Sequence, residues 1–158
     1  MGLIADATYF HMELTSGVDR IQRLLHRYRR ASADPEERRE LVDGLVTITD
    51  RLADLLRIHL GRERRDLFPR VDRIISHDLE EIAELDTAGH RLLETLSTFR
   101  KECLALLEEE SVHMPVRVVY LEMIFEEFVE RYEARRDAEM AFYRTVATLL
   151  YPGGLSAD

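Results

Sequence analysis

The sequence predicts an all-α protein, one up-down-up-down bundle of four helices, and three observations predict it. Apolar residues recur at spacings of three and four through most of the 158 residues, the period of an amphipathic helix. Gly (7) and Pro (4) are few, and charged residues make up 34%; with Ala, Leu, Glu and Arg abundant, this mix favours helix over sheet. The turn signals are short and separate long periodic runs, so consecutive helices pack antiparallel. The length suits one domain with a real core. We expect the bundle over residues 1–151 and a flexible tail over 152–158.

The first helix runs from about Ala5 to Ala31 with a stripe of Phe10, Leu14, Val18, Ile21, Leu25 and Tyr28. Asp34 then caps, Pro35 takes the first helical position and Glu37 completes a D-x-x-E capping box. The second helix passes through Leu45, Leu52, Leu56 and His59 to about Leu67, where Pro69 ends or kinks it. Asp78 caps the third helix, about Leu79 to Glu109, whose seam is Leu85, Leu92, Leu96, Phe99, Cys103 and Leu106. After SVHMP the fourth helix runs from about Val116 to Leu150 through Phe125, Phe128, Tyr132, Phe142 and Val146.

Bulk properties exclude several functions. The net charge is -9, from 22 basic and 31 acidic residues, and no basic tract could track phosphates, so no nucleic-acid partner is expected. No apolar run reaches the roughly 18 to 20 residues of a membrane span. The opening MGLIADATYF lacks a positive n-region followed by an apolar h-region, and a single Cys103 permits no internal disulfide. A soluble cytoplasmic protein is expected, a monomer or homodimer, and its Arg- and Leu-rich composition correlates with a GC-rich bacterial genome. There is no Gly-rich phosphate loop, no G-x-S-x-G elbow and no C-x-x-C pair, so any chemistry sits in the bundle or on its surface.

Polar residues interrupt the apolar stripes. At about 100° per residue, Glu139 falls near the centre of the arc set by Phe128, Tyr132, Phe142 and Val146. A carboxylate buried there is costly unless a charge or donor meets it, and Arg135, one turn earlier, could do so. Glu63 lies about 20° from Leu52 and Leu56, one turn beyond His59. His11 flanks the stripe near the start of the first helix. His90 follows Gly89 but is offset from the Leu92–Phe99 seam, towards Leu93, so it reaches the core only if the helix rotates or bends. His26 lies at the far end of the first helix, and His77 and His113 lie in loops. In an up-down-up-down bundle His11, His59, Glu63, His90 and Glu139 share one level, and four helices aim an N or O ligand there. Mixed imidazole and carboxylate donors suit iron, manganese or zinc rather than calcium.

These residues resemble the hemerythrin-like family, the HHE cation-binding domain, over roughly residues 5–150. His11, H59-L-G-R-E63 with L67-F68-P69, and H90-R-L-L match its first three helices, and Glu139 matches the fourth. The helix 2 motif is the specific part. The resemblance implies a non-haem di-iron centre, two Fe ions bridged by carboxylates and an oxo or hydroxo group, reacting with O2, peroxide or NO. Glu63 and Glu139 would bridge the metals, and His11, His59 and His90 would be terminal ligands.

The fourth helix departs from the pattern, with Arg135 where the family has a histidine. A guanidinium stays charged and cannot ligate. Three outcomes are open: Tyr132 supplies a phenolate, one iron keeps an open or water-filled position, or Arg135 neutralises Glu63 and Glu139 in a degenerate site. An open position favours catalysis, so the expectation is an oxidase, oxygenase or peroxidase acting on O2 or peroxide, with or without a small organic substrate. Arg135 and Tyr132 are its catalytic candidates, tuning or gating the open side. The competing readings are an O2- or iron-binding carrier or sensor, and a metal-free bundle acting as a binding module. A ferritin-like scheme needs two inward E-x-x-H pairs, and only Glu110-x-x-His113 is present.

Overall fold

The computed structural model describes residues 3–30, 34–74, 79–108 and 114–150. The described residues are helical almost throughout: α1 (Leu3–Arg30), α2 (Pro35–Arg62), a π-helical turn over Glu63–Leu67, α3 (Phe68–Ile74), α4 (Leu79–Ala105) and α5 (Met114–Leu150). Each of the four long helices packs against two others, α1 with α2 and α5, and α4 with α2 and α5. This is an all-α bundle, as the 3-4 periodicity requires. No described helix is long and apolar enough to cross a membrane. The tail 152–158, and His77, Asp78 and His113, lie outside the described residues.

Local signals explain the boundaries. Asp34 adopts extended backbone (φ -70°, ψ 113°) and its carboxylate accepts the Glu36 N–H at 3.0 Å, satisfying one of the donors a helix start leaves unpaired. Pro69 neither ends the second helix nor simply kinks it. The Phe68 N–H bonds to the Glu63 carbonyl, a five-residue step that widens the ladder, and α3 then continues. A proline ring inside a helix collides with the carbonyl four residues earlier, here that of Arg65, and a π turn relieves that crowding. Glu63 opens this widened turn.

The core is divided in two. The larger cluster includes Leu14, Ile21, Leu45, Leu52, Leu56, Leu92, Leu96, Phe99, Phe125, Phe128 and Tyr132. The smaller one is Ala7, Leu67, Phe68, Val71, Leu85, Phe142, Tyr143 and Val146. Burying each large side chain contributes about 1.5–3 kcal/mol. Buried polar residues stand where one cluster gives way to the other: His11 beside Phe10 on α1, His59 and Glu63 where α2 passes through the π turn to α3, and Arg135 and Glu139 on α5. Two apolar masses thus enclose one polar stratum.

Gly17 and Gly89 allow helices to approach closely. A Cβ on Gly89 would stand 2.5 Å from Leu60 Cδ2, and one on Gly17 would collide with Leu52 Cδ2. Both leucines are in α2 and buried, so α1 and α4 close onto α2 through bare backbone.

Candidate metal centre

Three helices and the π turn fill the polar stratum. His59 in the last turn of α2 and Glu63 at the start of the π turn are four residues apart, so both side chains leave one face; His59 Nε2 is 3.6 Å from Glu63 Oε1. From α5, Glu139 Oε1 approaches His59 Nε2 at 2.9 Å. From α1, His11 Nε2 stands 3.4 Å from the same oxygen. His59, Glu63 and Glu139 offer ligand atoms that all lie within 4.8 Å of one another. Glu139 is fully buried, and Glu63, His11 and His59 are each at most 9% exposed.

Both imidazoles are held in place. The Phe10 ring stacks on His59 with centroids 3.9 Å apart and planes 2° from parallel. His11 Nδ1 is 3.0 Å from the Tyr132 hydroxyl, and that hydroxyl donates to the His11 carbonyl at 3.4 Å. With its proton so used, the Tyr132 oxygen accepts from His11 Nδ1–H, a tautomer assigned from the network. Nε2 faces Glu139 Oε1 across 3.4 Å as a buried polar atom without a hydrogen-bond partner of good geometry, and its contact there helps hold the Glu139 carboxyl acidic, as an Nε2–H or a cation between them would. A lone pair aimed at a carboxylate oxygen is repulsive unless a cation or proton lies between them. Securing the other ring N–H in this way also orients metal-binding histidines.

The second oxygens of the two acids face Arg135. Its Nη2 pairs with Glu63 Oε2 at 2.5 Å, its Nη1 pairs with Glu139 Oε2, and its Nε donates to the Leu85 carbonyl at 3.2 Å. Arg135 is 4% exposed. Glu63 Oε1 also accepts the Tyr143 hydroxyl at 2.8 Å. Burial raises the Glu63 pKa above the ordinary value, and the Arg135 charge only partly opposes this. Burial also works to raise that of Glu139, but the His11 and His59 contacts and the Arg135 charge outweigh it and hold this carboxyl below the usual range. Burial and the neighbouring Glu63 push the Tyr143 phenol up, and burial pushes Tyr132 up; both stay neutral phenols.

The expected residues therefore separate. His11, His59, Glu63 and Glu139 come together, and Arg135 joins them through both acids. Tyr132 turns its oxygen to His11, so it positions an imidazole instead of presenting a phenolate. His90 does not join: its side chain is exposed, with ring nitrogens 2.9 and 2.7 Å from Arg64 Nη2 and Nδ1 2.9 Å from the Asp86 carbonyl. The reason is its offset from the seam. Gly89 faces the core there, closed over by Leu60, and α4 sends only the Leu85 carbonyl to the stratum. Tyr143 joins the buried acids through Glu63 Oε1; its sole signal in the sequence was a position one turn beyond Glu139.

This donor set does not fit two cations. The second would need the Glu63 and Glu139 oxygens that Arg135 already binds, beside a charge that cannot leave. It does fit one, among His59, Glu63 and Glu139, whose ligand atoms lie within 4.8 Å of one another; His11 Nε2 stands outside that group and reaches it only at Glu139 Oε1, 3.4 Å away. Two surface hollows approach the stratum. One of about 830 Å³ between α4 and α5 reaches Arg135 past Leu85, Ala88, Ala138 and Phe142. The other, about 540 Å³ and between α1 and α5, reaches His11 past Thr8, Met12 and Met140.

Compared with known proteins, the chain matches no family model, no curated protein and no solved structure.

Proposed function

We propose that the chain is a hemerythrin-like, up-down-up-down bundle that binds iron through His11, His59, Glu63 and Glu139 and activates O2 or peroxide. The topology is supported by the order in which the helices meet the two core clusters. α1 and α4 run from the smaller to the larger, and α5 runs the other way, as does α2 when followed through the π turn into α3. The family reading is supported by the H59-L-G-R-E63 motif with its Leu-Phe-Pro, at the stratum.

One observation carries metal binding: His59, Glu63 and Glu139 offer ligand atoms within 4.8 Å of one another inside the bundle, and His11 Nε2, buried and without a hydrogen-bond partner, faces Glu139 beside them. Two imidazoles and two carboxylates take iron, and also manganese or zinc. Bound iron supplies the electrons and the Lewis acidity that O2 or peroxide chemistry needs. The chain supplies the rest: Tyr132 and Phe10 orient the imidazoles, the Tyr143 hydroxyl donates to Glu63 Oε1, and Arg135 keeps a fixed positive charge beside the acids. The two apolar clusters exclude water, and the α4–α5 hollow is large enough for a small organic substrate. A cytoplasmic setting belongs to the same proposal, supported by the single cysteine.

A second reading has its own observation. Arg135 pairs with both acids, and such a triad neutralises much of the buried charge without metal, leaving a binding module. The test is metal analysis of protein from iron-replete cells. Iron in the parent, and none in His59→Ala, supports the first reading; a metal-free parent leaves the second. Catalytic consumption of peroxide or O2 by the reduced protein, as against stoichiometric uptake, separates an enzyme from a carrier or sensor.

A further inference from the structure

We infer that the centre takes one metal ion per chain, with the Arg135 guanidinium standing as the second positive charge. This rests on the metal-binding reading above and changes the count.

The four carboxylate oxygens divide cleanly. Both Oε2 atoms face the guanidinium. Both Oε1 atoms face imidazole nitrogens, at 2.9 and 3.4 Å for Glu139 and 3.6 Å for Glu63. A cation about 2.0–2.2 Å from N and O ligands sets neighbouring donors roughly 3.0 Å apart in octahedral and 3.4 Å apart in tetrahedral coordination. The 2.9 Å contact is also the His59–Glu139 hydrogen bond; with Glu63 at 3.6 Å, His59, Glu63 and Glu139 keep ligand atoms within 4.8 Å of one another, which leaves the Oε1 side room for one ion. On the Oε2 side Arg135 cannot swing away freely, because its Nε is bonded to the Leu85 carbonyl at 3.2 Å and the side chain is buried.

Charge gives the same count. Two carboxylates and one guanidinium sum to -1, so one divalent ion leaves the stratum at +1. Two divalent ions beside Arg135 would leave +3, or +2 with a bridging hydroxide, a larger excess charge to desolvate between two apolar clusters. The bound ion would also be asymmetric, with Glu63 and Glu139 each ligating through one oxygen while the other is held by the guanidinium.

The test is a cobalt(II) chloride titration of chelator-stripped protein, followed by visible absorption and by metal analysis after desalting. The expected result is a break at one equivalent in the parent and at two in Arg135→His. A break at two in the parent overturns the inference and leaves the metal reading intact. No binding in the parent overturns both. A break at one in Arg135→His, with the parent's circular dichroism retained, overturns the role given to Arg135. If Arg135→His does not fold, the parent titration decides the count, and Arg135→Lys, which keeps the positive charge, is expected to bind one ion.

Discussion

Tyr143 donates its hydroxyl to Glu63 Oε1 at 2.8 Å, joining α5 to the π turn across 80 residues of sequence. The phenol is 1% exposed and the carboxylate 3%, so water cannot replace this bond. Removing one partner of a buried bond leaves the other unsatisfied. Tyr143→Phe keeps the ring packed and removes only the donor. We expect a loss of about 1–3 kcal/mol, read as a lower urea midpoint with an unchanged slope. Tyr120→Phe, at an exposed ring, should leave the midpoint in place, and equal midpoints for both variants would refute the role given to Tyr143.

Arg135 yields a sharper contrast, between breaking a charge network and replacing it. In chelator-treated protein, Arg135→Met strands two buried carboxylates, and removing one partner of a buried pair costs about 3–5 kcal/mol. Replacing the whole group with Arg135→Met, Glu63→Leu and Glu139→Leu removes the charges together, and such apolar replacement is often neutral or stabilising. The triple variant is therefore expected to melt above the single one. If it melts lower, packing around the guanidinium outweighs its charge.

The sequence made the helices legible because burial imposes a period on each stripe, and it made Asp34 legible as a cap because capping is local. It placed Glu63 and Glu139 on apolar faces for the same reason. It could not foresee the π turn: hydrophobic spacing marks which face is buried, whereas a widened ladder is a backbone adjustment to Pro69. His90 is instructive. Its angle already pointed off the seam, while its level in the bundle and the family resemblance argued for bringing it inward; the structure follows the angle, because Leu60 needs the space over Gly89. Tyr143 could not be distinguished from other core aromatics, since its partner comes from a different helix. The Arg135–Glu139 spacing was visible along one helix, and Arg135 pairing with Glu63 as well is one of the three outcomes the sequence leaves open; the structure places the guanidinium on both acids.

Helix contacts through glycine make a third prediction. A methyl group on Gly89 would meet Leu60 Cδ2 at 2.5 Å, and Leu60 is only 4% exposed, so it has little room to turn. Overpacking costs about 1–3 kcal/mol, against a helix-propensity gain of about 1 kcal/mol for replacing glycine by alanine. Gly89→Ala is expected to lower the melting temperature or leave it unchanged. At Gly61 the nearest atom to a new Cβ is Arg65 Nη1 at 3.8 Å, ordinary contact, so Gly61→Ala should stabilise by up to about 1 kcal/mol. A clear stabilisation by Gly89→Ala would contradict the close approach of α4 to α2.

Cys103 offers a probe of the larger core cluster that touches no candidate ligand. It is fully buried on α4, and burial, with the Glu102 charge, pushes its thiol up to about 12. Alkylation needs the thiolate, and an unfolded cysteine has a pKa near about 8.5, so at pH 8 the native thiolate fraction is lower by roughly three orders of magnitude. Iodoacetamide at pH 8 should leave the native protein unmodified by mass spectrometry over a period that fully labels the protein in urea. The labelling rate in sub-denaturing urea should track opening of the cluster, because the folded thiol contributes almost nothing. Labelling of the native protein at the unfolded rate would mean that the α4 seam is not packed as described, and the spacing of the polar stratum beside it would lose its support.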